Sequence, residues 1–270
     1  MNFLNLLNLL NFLNFMNNIH PEAKIGKDVI IDPFVSIEKN VEIGDGTRVY
    51  SHAVILEGAR IGRNCQIFPG AVVSAIPQDL KFKGEDSIAV IGDNTIVREC
   101  VTVNRGTASK GTTIVGNNCL LMAYSHVAHD CILGNNIIIG NATQLAGEVE
   151  IDDWAIVSAG SLVHQFSRIG SHVMIQGGSR VGKDIPPYVT AGRDPISFCG
   201  INTIGLRRRG FANDEIREIQ DVYRYLYLLG LNTTNALEKI EEELSENKFR
   251  EHIVAFVRKS ERGILRGYID

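Results

Sequence analysis

The sequence predicts an all-β solenoid, a three-sided parallel β-helix of hexapeptide repeats, followed by a small α-helical domain. Three observations predict it. An aliphatic residue returns every six positions from Ile19 to Val73, again from Ile91 to Val103, and again from Val115 to Val181. For the twelve positions of the last run, chance register is on the order of one in 100,000. The position two before each aliphatic is small or β-branched, as at Cys119, Ser125, Cys131 and Thr143. Residues i and i−2 of a strand share a face, so both line one interior while the residue between them faces out. Finally, Gly follows the aliphatic at Gly26, Gly44 and Gly62 and at Gly116, Gly134 and Gly170, at multiples of 18 within each run, Asp152 being the exception. Three six-residue strands therefore make one coil of a prism, and each coil bonds to the next.

The elements follow in order. Residues 1–18 carry Asn at every third place among Leu and Phe, without a basic start or a small-residue cleavage site. That pattern is neither a signal peptide nor a good membrane span. It reads as an extension outside the fold, with Met16 as the natural start and a weak amphipathic helix as the alternative. Residues 19–189 form the prism, which ends at Pro186–Pro187, with two loops at 74–89 and 104–114 that resume in register modulo six. Loops projecting from a rigid scaffold are where function tends to sit. Residues 190–270 form the helical domain, with helices over Ala212–Leu229, Thr234–Ser245 and Lys248–Ser260, capped by Asn213 and by Thr233 or Thr234.

A net charge of −4 gives no general case for nucleic acid as a partner. Of five Cys, an odd count, Cys65, Cys119 and Cys131 take the inward small position. Buried reduced thiols in the cytoplasm are the expectation, and no stable membrane insertion is expected.

Chemistry concentrates in Ser125-His126-Val127-Ala128-His129-Asp130-Cys131. Val127 points in, so His126 faces out and His129 sits near the next corner. Imidazole titrates near neutrality and suits general-base work. Asp130 or a backbone carbonyl would fix its tautomer. Eighteen residues beyond His129 stands Gly147 and thirty-six beyond stands Gln165, with His164 beside it. These should form a column at about 4.8 Å spacing. Gly147 offers an amide with no side chain in the way, as an oxyanion site needs. The bland alternative is surface or interface polarity, and His20, His52, His172 and His252 are read that way. Arg207-Arg208-Arg209 is a basic run, either a solvated face or a site for an anionic partner or phosphate.

These hexads, the segment around His126 and His129, His164-Gln165-Phe166 and the Gly205–Phe211 stretch resemble the UDP-N-acetylglucosamine O-acyltransferase family from about residue 19 onward. Pro77-Gln78-Asp79-Leu80-Lys81 and Asn104-Arg105-Gly106-Thr107 are similar to that family too. Right-handed crossovers are the general rule, but the resemblance implies a left-handed coil. It implies a homotrimer with sites between prisms, and transfer of an (R)-3-hydroxyacyl chain from acyl carrier protein to the 3-hydroxyl of UDP-N-acetylglucosamine, the first step of lipid A synthesis. His129 would be the base and Gly147 the oxyanion donor, with no metal, cofactor or acyl-enzyme. Gln78, Asp79, Lys81, His126, His164, Gln165, Asn202, Arg208 and Arg209 would bind substrate. Arg207 and Arg208 would steer the carrier protein, and Gly177 would set a deep acyl pocket.

Two positions depart from the family. Glu148 stands where His is common, eighteen residues from Asp130, so two stacked carboxyls are expected to raise the pKa of one. Ile204 replaces a polar residue. Three rival readings exist. A later N-acyltransferase of the same pathway carries an additional N-terminal uridine-binding domain, for which hexads starting at Ile19 leave no room. A non-enzymatic scaffold or carrier-binding module would show no turnover. A zinc site on His126, His129 and His164 would resemble the zinc carbonic anhydrases, whose His–His spacing is longer.

Overall fold

Two residues of strand cannot stand alone, so each must pair with the coil before and after it. The structure, a computed structural model, describes residues 17–267. The reading of residues 1–18 as an extension falls, up to Met16, outside the described residues. Three sheets of nine, eight and ten strands form the sides of the prism, parallel except for the final strand of the third. Within the long run the register is eighteen residues on every side: His126 pairs with Gln144, Ile132 with Glu150 and Ile138 with Ile156.

The hexad sets which way each side chain points. Leu121, Val127, Leu133, Ile139 and Leu145 are fully buried along the axis, and Ser125, Cys131, Ile137 and Thr143 fill the remaining inward positions. His126 and Ile138 face outward between them. Gly116 repeats because stacked corners approach closely. A Cβ there would lie 2.3 Å from the Gly134 carbonyl oxygen, so any other residue would push the coils apart.

The two interruptions are shorter than the sequence suggested. Val72–Ala75, Ile88–Ile91, Thr102–Asn104 and Thr112–Val115 are all strand, leaving excursions over residues 76–87 and 105–111. Val73 pairs with Val103 and Val103 with Val127, intervals of 30 and 24 residues. The excursions thus add twelve and six residues to a period of eighteen. Both are whole hexads, and after the second the strands pair in register again, Val103 with Val127 and Val115 with Leu133.

Strand pairing also continues past Pro186–Pro187. Val189–Gly192 adds in parallel to Met174–Ile175, and Ser197–Ile201 folds back antiparallel to it. The prolines stand at a corner, where no ladder N–H is required of them, and Gly170 bonds to Ile185 just before them.

Four helices follow: α1 (Thr203–Arg208), α2 (Asn213–Tyr227), α3 (Thr233–Glu243) and α4 (Lys248–Arg258). Six residues are too few for α1 to show periodicity, which is why the sequence does not reveal it. The expected caps lie one place too far in. Asn213 and Thr233 are first helical residues, while Asn232 and Asn247 cap α3 and α4 through their side chains, and Glu215 reaches back to the Ala212 amide at the start of α2. Helix α2 buries Ile216, Ile219, Val222 and Tyr223, and the Tyr223 hydroxyl donates to the Pro187 carbonyl, tying the helices to the last coil. Among the described residues no helix is long and apolar enough to cross a membrane.

Leu121 has no exposed surface and should behave as a full core residue. Leu121→Ala is expected to cost about 3 kcal/mol of unfolding free energy, measured by urea denaturation. A cost below about 1 kcal/mol would mean that the prism interior repacks freely.

Candidate active site

His126 leaves the first face of the prism, and His129 follows three residues later at the corner toward the second. Stacking then builds the column. The Glu148 amide donates to the His129 carbonyl and the Phe166 amide to the Gly147 carbonyl, so residues 129, 147 and 165 lie in successive coils at one corner. The His129 ring lies directly over Gly147. A Cβ on Gly147 would come within 2.6 Å of the ring's Cε1, so only glycine leaves room for the imidazole. Gly147 is buried, and its N–H has no acceptor among the described residues. The amides of His129 and Gln165 at the same corner of the neighbouring coils have no acceptor among the described residues either; Gly147 is set apart by the imidazole packed against it.

The other side of the ring is fixed by Asp130, whose Oδ2 is 2.9 Å from His129 Nδ1. Asp130 is fully buried. Its carboxylate also accepts from the Thr107 amide at 3.0 Å, the Thr107 hydroxyl at 2.6 Å and the Lys110 amide at 3.2 Å. Burial raises the pKa of this carboxyl, but the bonds from Thr107 and His129 outweigh burial and hold it below the usual carboxylate value. For Asp130 this corrects the expectation that stacking against Glu148 would raise the pKa of one of the two carboxyls. Glu148 instead bonds to Ser109 at 3.1 Å, and donors rather than a like charge surround Asp130. An ionised carboxylate can only accept, so it selects the tautomer with the proton on Nδ1, which donates to Oδ2, and Nε2 carries the lone pair.

Nε2 faces the first excursion, 4.0 Å from Asp79 Oδ2. There Asp79 caps its own turn by accepting from the Lys81 amide at 2.9 Å, with Lys81 and Gln78 exposed. A groove of about 620 Å³ runs from Gln78, His126 and His129 past Gly147, Leu162, His164 and Gln165 to Arg180 and Gly182. Along the first face its outward residues stack as His126, Gln144, Leu162 and Arg180. Burial is the main cause lowering the His126 pKa, with the His129 charge second, against a backbone hydrogen bond at Thr102. Its Nδ1 also lies 2.7 Å from Thr102 Oγ1. His164 and Gln165 are exposed on the groove wall.

Other expected site residues lie elsewhere. Asn202 is buried and caps α1, accepting from Gly205 and donating to the His172 carbonyl. Arg209 stands over Trp154 with its guanidinium 3.3 Å from His172 Nδ1. Arg207 and Arg208 are exposed in the last turn of α1, as is Ile204 in its first. None of them lines the groove around His129. Gly177 sits at the corner between the third and first faces, where a Cβ would lie 3.1 Å from the Ala159 carbonyl oxygen, closer than ordinary contact, and 4.0 Å from Ser158 Cβ. The sequence reading missed Thr102, Thr107 and Asn104. Asn104 is buried on the groove wall with its side-chain oxygen unpaired. The interruption of the hexads at 104–114 and the family-like turn Asn104-Arg105-Gly106-Thr107 pointed to this stretch without giving Asn104 or Thr107 a role.

Cys131, next in the chain after Asp130, is buried, and burial pushes its thiol up to about 12. It is a poor nucleophile at neutral pH.

Comparison with known proteins agrees on one family. Residues 184–265 match the profile described as Udp N-acetylglucosamine O-acyltransferase, domain 2. Residues 112–147 match Bacterial transferase hexapeptide (six repeats), and residues 15–109 match the GMPPB C-terminal domain. An acyl-[acyl-carrier-protein]–UDP-N-acetylglucosamine O-acyltransferase of Thermodesulfovibrio yellowstonii is 40% identical over 249 residues, 92% of this chain and 96% of that protein. The crystal structure of a UDP-N-acetylglucosamine acyltransferase from Bacteroides fragilis is similar with a TM-score of 0.92 at 60% identity, over 93% of this chain and 98% of that one. For the Francisella novicida UDP-N-acetylglucosamine acyltransferase the TM-score is 0.90 at 45% identity, over 93% and 92%. The fold is a left-handed parallel β-helix of hexapeptide repeats.

His172 stacks between Trp154 and Tyr188, and burial together with the Arg209 and His252 charges lowers its pKa from 6.5 to about 4. Between those values the unfolded chain binds a proton that the folded one refuses, so stability is lost as pH falls through that window. Thermal unfolding midpoints should drop from pH 6.5 toward 4, and His172→Gln should flatten the slope. An unchanged slope in the variant would remove His172 as its source.

Proposed function

Since this chain belongs to the UDP-N-acetylglucosamine O-acyltransferase family, we propose that it moves an (R)-3-hydroxyacyl chain from acyl carrier protein to the sugar 3-hydroxyl, with His129 as general base. The relatives' names give the acyl donor, the sugar-nucleotide acceptor and oxygen as the acylated atom, and this chain carries out that transfer. In this reading the reaction opens lipid A synthesis in the cytoplasm.

The observation that carries the reading is the imidazole held between Asp130 and Gly147. With Nδ1 donating to Asp130 at 2.9 Å, Nε2 takes the hydroxyl proton as the oxygen attacks the thioester carbonyl. The unpaired Gly147 amide donates to the oxyanion that forms, the step at which a preorganised donor contributes most. Collapse of the tetrahedral intermediate breaks the carbon–sulfur bond. The departing thiolate takes the proton back from the imidazolium, which Asp130 has stabilised meanwhile. No acyl-enzyme enters, consistent with the unreactive Cys131 thiol.

The first face offers the acyl chain a path along Leu162 toward Arg180, three strand spacings above His126, about 14 Å in all. At Gly177 a Cβ would press to 3.1 Å from the Ala159 carbonyl oxygen, and in this reading the missing side chain keeps the acyl pocket deep. Asp79, Lys81 and Gln78 hold the sugar nucleotide from the first excursion, with His126, His164 and Gln165 on the wall. Asn202, Arg208 and Arg209 lie outside the groove of their own chain. Their role in nucleotide binding requires delivery from a neighbouring prism, and a homotrimer supplies it. Leu80, fully exposed at the tip of the excursion, suits burial against that neighbour. Arg207 and Arg208 attract the acidic carrier protein.

The direct test incubates the protein with UDP-N-acetylglucosamine and hydroxyacyl carrier protein and detects the sugar ester by mass spectrometry. His129→Ala should lose about 10²–10⁴ in kcat while size-exclusion chromatography still shows a trimer. Near-normal turnover would take His129 out of the mechanism. Across a series of acyl lengths, the longer hydroxyacyl donors should give the higher kcat/KM, and a preference for short chains would refute the role given to Gly177.

A further inference from the structure

The second excursion, residues 105–111, serves no part of the prism core, yet it is tightly tied down. The Arg105 amide donates to Ala75, the Gly106 amide to Ile88, and the Gly111 amide to Thr107 at 2.7 Å. Gly106 is pressed so closely against the returning chain that a Cβ there would lie 2.2 Å from the Thr112 nitrogen. The Ala108 amide bonds Glu85 at 2.9 Å, which joins this loop to the excursion that carries Asp79. The Ser109 hydroxyl bonds Glu148 in the coil beyond. All of this rigidity converges on one residue. Thr107 gives both its amide and its hydroxyl to the buried Asp130 carboxylate, the hydroxyl at 2.6 Å to Oδ2, the same oxygen that faces His129 Nδ1.

We propose that Thr107 is a positioning residue for the transfer reaction, aligning the His129 imidazole by holding the Asp130 carboxylate in one orientation. The inference rests on His129 being the base. A buried carboxylate has two torsions about which it can turn, and the bond to imidazole alone does not fix both. Donors from a separately anchored loop do, and they satisfy the lone pairs that burial would otherwise leave unpaired. Thr107 does not touch substrate; it acts only through Asp130. Through Ala108 and Glu85 the same loop also sets the distance between the Asp79 excursion and the imidazole.

Thr107→Val removes the hydroxyl, keeps the amide and the side-chain shape, and should lower kcat about 10- to 100-fold with KM for both substrates within about twofold. Thr107→Ser should restore most of the rate. In an Asp130→Asn background the Thr107→Val change should add almost nothing, because residues acting as one unit are non-additive. Proton NMR should show the low-field His129 Nδ1–H signal in the wild type and in Thr107→Ser, and its loss or broadening in Thr107→Val. Overturning results are a wild-type kcat in Thr107→Val, a full additional loss in the Asp130→Asn background, or no rescue by serine in a folded trimer. If His129→Ala itself keeps turnover, the base assignment fails; if only the Thr107 variants behave like wild type, this inference alone fails.

Discussion

The parallel ladder between coils is the interaction on which everything else rests. Each strand is only two residues long over most of the prism, so no side of a coil could hold its shape without the coils on either side. Away from the two excursions, the ladder sets each residue over the one eighteen places later. That register turns a linear sequence into columns. One column is buried and aliphatic. Another, at a corner, holds His129, Gly147 and Gln165.

The same constraint explains how a repeat protein acquires chemistry. A surface loop absorbs insertions of almost any length, so the prism can extrude an excursion wherever the chain re-enters the ladder in register. The two here add twelve and six residues beyond eighteen. Once extruded, they are free of the hexad's composition and bring Asp79 and Thr107 to the corner where His129 waits. The scaffold supplies position to within a strand spacing, and the loops supply polarity.

Electrostatics at the corner follow from donor geometry more than from net charge. Asp130 carries no exposed surface, and a lone carboxylate so placed would be neutral. Thr107, Lys110 and His129 turn it into a stable anion. At another corner burial disfavours charge on His172 among aromatic rings beside Arg209.

Periodicity alone determined the coil, the inward aliphatics, the outward His126 and the stacking of residues 129, 147 and 165, because each of these depends only on counting in sixes and eighteens. Helix positions in the C-terminal part were also legible, to within one or two residues at their ends. What counting could not reach were contacts across an excursion. Thr107 meets Asp130 over 23 residues that include a loop whose path the hexads do not determine, so the sequence suggested repulsion between Asp130 and Glu148 where the structure has donors. Nor could counting show that Asn202 caps a helix of six residues, which is too short for periodicity. Tertiary structure alone decided these, because an unsatisfied buried group takes whichever partner the fold brings within hydrogen-bond reach, regardless of its distance along the chain.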